Sequence, residues 1–140
     1  MAYATQADLV DRYGDESVVM TFDRQGLGEA QAVAVTKALA DAASEIDGYL
    51  AGVYSLPLTV APANLTLLCC DIAMYRGAKG PQVTEELRKR YEDAVRYLTK
   101  VGEGRIKLFQ DEPAAPQGGS GADFSAAPRR FNRQSMGGLR

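Results

Sequence analysis

Reactive side chains concentrate in two places. At Cys69-Cys70-Asp71 two thiols and a carboxylate follow one another, and from Arg129 to Arg133 three arginines surround Phe131. The chemistry open to the first group is metal ligation or acid/base work. Both normally recruit histidine, and the sequence has none. Neighbours on a helix point about 100° apart, so adjacent cysteines neither bridge each other nor share a metal readily. They read as two reduced, buried thiols. Asp71 is the one carboxylate inside an apolar run, and one acid does not make an acid/base pair. No phosphate-binding Gly-x-x-x-x-Gly-Lys-[Ser/Thr] loop or dinucleotide fingerprint occurs, and Gly77-Ala-Lys-Gly80 reads as an interhelical turn. The expectation is a protein that is not an enzyme, with no cofactor and no metal.

The second group binds rather than reacts. Arg129, Arg130 and Arg133 could grip phosphates, with Phe131 placed to stack on a base. Alternatively the same residues suit docking on an acidic protein surface, or strand addition with aromatic anchors. Charge bears on the choice. Residues 113–140 hold four arginines and one aspartate, net +3, which leaves −5 on residues 1–112. An acidic body argues against nucleic acid as the main ligand. A nucleic-acid-binding accessory protein that uses this tail is the alternative function.

The elements that would carry these groups follow from periodicity and breakers. Thr5-Gln-Ala-Asp8 looks like an N-cap with an acid at N3, followed by Leu9, Val10 and Tyr13 and a stop at Gly14. A second short helix is expected over Glu16 to Phe22, with Val18, Val19 and Phe22 apolar. After a loop to Gly28, residues 29–53 form the longest helix, roughly 35 Å, around which the chain is organised. Its core stripe is Val35, Leu39, Ala42, Ile46, Tyr49 or Leu50, and Val53, with Lys37, Asp41, Ser44 and Glu45 largely off it. The next stretch, Tyr54 to Pro62, reads as an extended crossover whose Leu56, Leu58 and Val60 tuck against the core, with Pro62 at N1 of the next helix. That helix, 62–77, is apolar on nearly every side and should be buried, so Asp71 needs a partner, with Arg76 one possibility.

A last helix from about Gln82 to Val101 presents Val83, Leu87, Tyr91, Ala94 or Val95, Leu98 and Val101 as its stripe. Glu85 with Lys89, Glu86 with Arg90 and Glu92 with Arg96 are acid-first pairs on the solvated side. Arg105 to Phe109 alternates like a short strand or an extended arm. The organisation is therefore a helical body at 1–112, a Pro/Gly/Ser linker at 113–121 and an extended arm at 122–140. The arm carries Phe124, Arg129, Arg130, Phe131, Arg133, Met136 and Leu139, a set suited to ordering on a partner. No stretch supplies the roughly 20 uncharged apolar residues of a membrane span, and the start has no secretion signal. The fold class is all-α, a small helical bundle.

Taken together, the chain resembles the small connector proteins of Mu-like phages and prophages. More loosely it is similar to the adaptors that form the first ring below the portal in long-tailed phages. The resemblance covers most of the chain. It rests on Tyr3-Ala-Thr-Gln-Ala-Asp-Leu with Arg12-Tyr-Gly, on Ala43-Ser-Glu-Ile-Asp-Gly-Tyr-Leu and on Leu56-Pro-Leu. It continues through Cys69-Cys-Asp-Ile-Ala-Met-Tyr to Arg130-Phe-Asn-Arg. It implies a dodecameric ring between portal and tail components, in the neck of a virion assembled in the host cytoplasm. The partners would be the portal protein and stopper or tail proteins, with genome DNA passing through the bore. No active-site residue is carried over. Adaptor and stopper rings both remain open.

Overall fold

The computed structural model describes residues 2–23 and 25–109. Among them the chain forms five α-helices and no strand, an all-α bundle: α1 Gln6–Tyr13, α2 Asp15–Phe22, α3 Ala32–Leu50, α4 Ala63–Gly77 and α5 Glu85–Gly102. A single 3-10 turn, Gly80–Gln82, precedes α5. The linker and arm expected at 113–140 lie outside the described residues.

Local chemistry sets several helix ends. Thr5 and Asp8 form a reciprocal capping box: the Thr5 amide donates to Asp8 Oδ2 at 2.7 Å and the Asp8 amide to Thr5 Oγ1 at 3.4 Å. Gly14 ends α1 with φ +85, a conformation that disfavours any residue with a Cβ, and α2 starts at once. Thr84 caps α5 by accepting from the Leu87 amide at 3.2 Å. Pro62 is the N-cap of α4 rather than its first helical residue. Helix α5 begins at Glu85, so Val83 precedes it and is exposed instead of lying on its stripe.

Helix α3 is the longest, although it is shorter at both ends than the apolar spacing implied. Its first turn follows Gln31, whose amide donates to Phe22 O and whose carbonyl accepts from Val35. At the other end Leu50 O accepts from the amides of Val53 and Tyr54, which turns the chain. Val35, Leu39, Ala42, Ile46 and Leu50 are buried as the stripe requires, and Val53 falls in the turn. Leu50, not Tyr49, is the fully buried residue of that pair.

Helix α4 is the hub: it packs against α1, α2, α3 and α5. Leu65, Cys69, Cys70, Ile72, Ala73 and Met74 on it are buried, with both cysteines free. Burial pushes the two thiols up to about 12. The large apolar residue of α4 that breaks the pattern is Leu67, 47% exposed. Gly77 ends α4 directly against Phe22, where a Cβ would overlap the ring.

The crossover from 51 to 62 is non-helical, with a cis Leu56-Pro57 bond. Leu58 is buried and Leu56 packs on the core, whereas Val60 is 66% exposed. Alternation cannot choose a face where no sheet exists to define one. Residues 105–109 form neither strand nor free arm. Ile106 and Leu108 pack on the core, and the Leu108 amide donates to Tyr54 Oη at 3.0 Å.

Candidate docking surface

Asp71 finds its partner in α1, not in Arg76. Arg12 grips it through two bonds, Nε to Oδ1 at 2.7 Å and Nη2 to Oδ2 at 2.9 Å, and Tyr13 Oη donates to Oδ1 at 2.6 Å. The carboxylate is 7% exposed and the guanidinium side chain 28%. A paired fork of this kind satisfies a buried acid that would otherwise be prohibitive. Burial, and then the bond to Asp71, raise the Tyr13 hydroxyl far above its usual range. Arg90 of α5 lies 5.1 Å over the Tyr13 ring and bonds Glu86 at 2.7 Å. One polar chain thus ties α1, α4 and α5 together.

Arg76 serves a second cluster. Its Nε and Nη2 bond Glu45 Oε2 at 2.8 and 2.6 Å, and Tyr91 Oη donates to Glu45 Oε1 at 2.9 Å. Tyr91 stacks on Tyr75 at 4.2 Å between centroids. Glu45 is therefore a half-buried joint between α3, α4 and α5, not a residue of the solvated side. A third tie joins the Tyr3 hydroxyl to Asp47, while the Tyr3 carbonyl accepts from Thr66 Oγ1 at 2.9 Å. Of the acid-first pairs expected along α5, Glu86–Arg90 forms. Arg88 instead bonds Glu85 and Arg96 bonds Asp93, each three residues away.

Arg12 borders three surface hollows. One of about 630 Å³ runs between α2 and the start of α5, with Met20, Thr21, Pro81 and Leu87 in its wall. A second, about 420 Å³, is lined by Asp8, Asp11, Thr66, Leu67 and Cys70 besides Arg12. The third, about 320 Å³, includes Leu67, Leu68, Asp93, Ala94 and Tyr97. Asn64 borders it too, giving Nδ2 to Tyr97 at 2.7 Å while its buried Oδ1 has no donor. Met20, Leu27, Val33, Val60 and Leu67 are exposed apolar side chains on this small body. Among the described residues no group of histidine, cysteine and carboxylate side chains could hold a metal, and no helix is long and apolar enough to cross a membrane.

The core stripe Val35, Leu39, Ile46 and Leu50 is where the spacing put it. The arm residues Phe124, Arg129, Arg130, Phe131, Arg133, Met136 and Leu139 lie outside the described residues. Sequence reasoning missed the Arg12–Asp71 and Glu45–Arg76 joints because their partners are 59 and 31 residues apart. The one signal was a carboxylate in an apolar helix, which demands a cation without saying which.

The sequence profile of the family described as Bacteriophage Mu, Gp36 matches residues 3–126. The Mu-like prophage FluMu protein gp36 of Haemophilus influenzae is 36% identical over 141 residues, covering 98% of this chain and 97% of that protein. Gene product J of Escherichia phage Mu is 34% identical over 140 residues, covering 98% and 99%. The match runs through the body into the arm and leaves little of either relative unpaired, so this chain belongs to the bacteriophage Mu Gp36 family.

Proposed function

We propose that the protein is a structural head–tail connector, an adaptor that forms a ring beneath the portal and joins the capsid to the tail. The observation that carries this reading is the end-to-end relationship to proteins of phage Mu and a Mu-like prophage. The chemistry of the chain agrees with a structural role. Two of its polar pairs, Arg12–Asp71 and Glu45–Arg76, are bound across helices and hold the geometry of the bundle. Its exposed apolar residues, Met20, Val33 and Leu67 among them, suit burial against other subunits. In this reading the partners are the portal protein, stopper or tail components and further copies of the chain, and genome DNA passes through the ring.

Deletion of the gene from a phage that carries it tests the proposal. The expected lysate contains filled or leaking heads and separate tails, and supplying the gene in trans restores complete particles. Normal virions from the deletion would refute it. DNA binding by the purified protein that weakens steeply with salt, together with intact head–tail joining in the deletion, would favour the nucleic-acid accessory role instead.

A further inference from the structure

We infer that the groove on either side of Leu67 receives the Arg129–Arg133 segment of a neighbouring copy, so that each chain clasps the next through its own basic arm. The inference rests on the ring reading above and names the partner that the arm meets within it.

The groove has an unusual plan. Leu67 stands 47% exposed on α4, the helix that is otherwise most deeply enclosed, and forms a wall of both the 420 Å³ and the 320 Å³ hollows. Asp8 and Asp11 of α1 lie on one side of it, and Asp93 of α5 on the other. The basic groups nearby are already engaged: Arg12 has Nε and Nη2 on Asp71, and Arg90 bonds Glu86 and covers Tyr13. Asp11 is exposed, and Asp93 has only the exposed Arg96 at 3.2 Å. An apolar ridge with carboxylates on both flanks is the complement of an aromatic ring with guanidinium groups on both flanks. Arg130-Phe131-Asn132-Arg133 has that order. In this pairing Phe131 enters the hollow against its apolar wall of Leu67, Leu68, Ala94 and Tyr97, and the remaining lining is Arg12, Asn64, Asp71, Arg90 and Asp93. The arginines of the arm pair with the acids to each side.

Length and charge agree. Arg129 lies twenty residues beyond Phe109, the last described residue. A chain of that length extends to at most about 66–72 Å, against a diameter of roughly 34 Å for a body of about 100 residues. It therefore reaches the surface of an adjacent copy. The −5 body and +3 tail are complementary in charge, and passing each arm on to the next copy makes the contact heterologous, one surface giving and another receiving. That is the kind of interface that closes into a ring. Each contact alone is weak, and the closed ring adds them.

Two full-length variants test it. The groove variant carries Asp11→Arg and Asp93→Arg on exposed positions, and the arm variant carries Arg130→Glu, Phe131→Ala and Arg133→Glu. Sedimentation should show the wild-type chain associating with rising concentration and each variant alone remaining monomeric. Their mixture should stop at a one-to-one pair, since it offers one working arm and one working groove. A labelled peptide of residues 122–140 should bind the arm variant, and Asp11→Arg with Asp93→Arg should weaken that binding at least about tenfold. Variants that associate like the wild type, or a mixture that gives no pair, would overturn the inference. Circular dichroism of both variants must match the wild type for the result to count. The connector reading is separately exposed. An arm variant that blocks head–tail joining with unchanged self-association sinks the clasp and leaves the connector standing. Loss of self-association with normal virions sinks the connector reading.

Discussion

Replacing Arg12 by alanine should cost the body about 3 kcal/mol, the lower end of the range for breaking a buried ion pair. The change removes two charge-assisted bonds of 2.7 and 2.9 Å from a carboxylate that is 7% exposed. Tyr13, at 2.6 Å, is then its one remaining partner. The lower end applies because the Arg12 side chain is 28% exposed, so its loss lets water approach Asp71. Tyr13→Phe removes a single bond and should cost about 1–2 kcal/mol. The triple replacement Arg12→Met, Asp71→Leu and Tyr13→Phe removes both charges and the hydroxyl bonded to them and should cost less than about 1 kcal/mol, because a buried pair roughly breaks even against apolar side chains of similar size. Urea unfolding of the wild type and the three variants gives these differences, and Arg12→Ala alone should lower Tm by roughly 12–24 °C for a domain near 100 residues. A loss below about 0.5 kcal/mol for Arg12→Ala, the scale of an exposed pair, would refute the burial of Asp71.

Ile46→Asp should unfold or aggregate the protein, since it places an unpaired carboxylate at a fully buried position of α3; a well-dispersed amide NMR spectrum would contradict this. Glu45→Ala should cost about 1–2 kcal/mol in urea unfolding, because Arg76 and Tyr91 both lose their acceptor. Thiol labelling of Cys69 and Cys70 should stay slow until denaturant is added, and fast labelling of the native protein would count against their burial. Unfolded thiols ionise near 9.0 while the folded ones keep their protons up to about 12. The stability they contribute is therefore complete below pH 9.0 and lost as pH rises toward about 12. The urea midpoint should fall over that interval, and less steeply once both cysteines are alanine.

What could be read in advance was local. The Thr5–Asp8 box spans three residues, the Gly14 stop needs only its neighbours, and the apolar stripe of α3 is a property of one helix. The enclosure of α4 was legible for the same reason, because a helix apolar all round has nowhere else to go. Pairings across the bundle were not legible. Asp71 announced a need for a cation, and Arg76 stood five residues away, yet the helix carries the two side chains to different neighbours. Glu45 looked like a surface residue because helical spacing puts it off the apolar stripe, and two residues from other helices made it a joint. Val60 was misplaced because residue alternation has meaning only on a strand. The hollows beside Leu67 come from three helices whose approach no single segment encodes.

The two ends of the described chain are moored to the same stretch of α3 and its turn. Tyr3 holds Asp47, and Leu108 holds Tyr54, whose amide in turn donates to Leu50 O. Traction on residues beyond Phe109 therefore enters the body at Tyr54, and traction on the amino terminus enters about two helical turns away at Asp47. At the amino-terminal end the load is shared with α4, because the Tyr3 carbonyl also accepts from Thr66 Oγ1. At the other end the nearest attachments are the Leu108–Tyr54 bond and the ring contact of Tyr54 on Phe109. Tension applied beyond Phe109 is therefore met first by an aromatic side chain of the crossover, before it is passed to the α3 turn at Leu50.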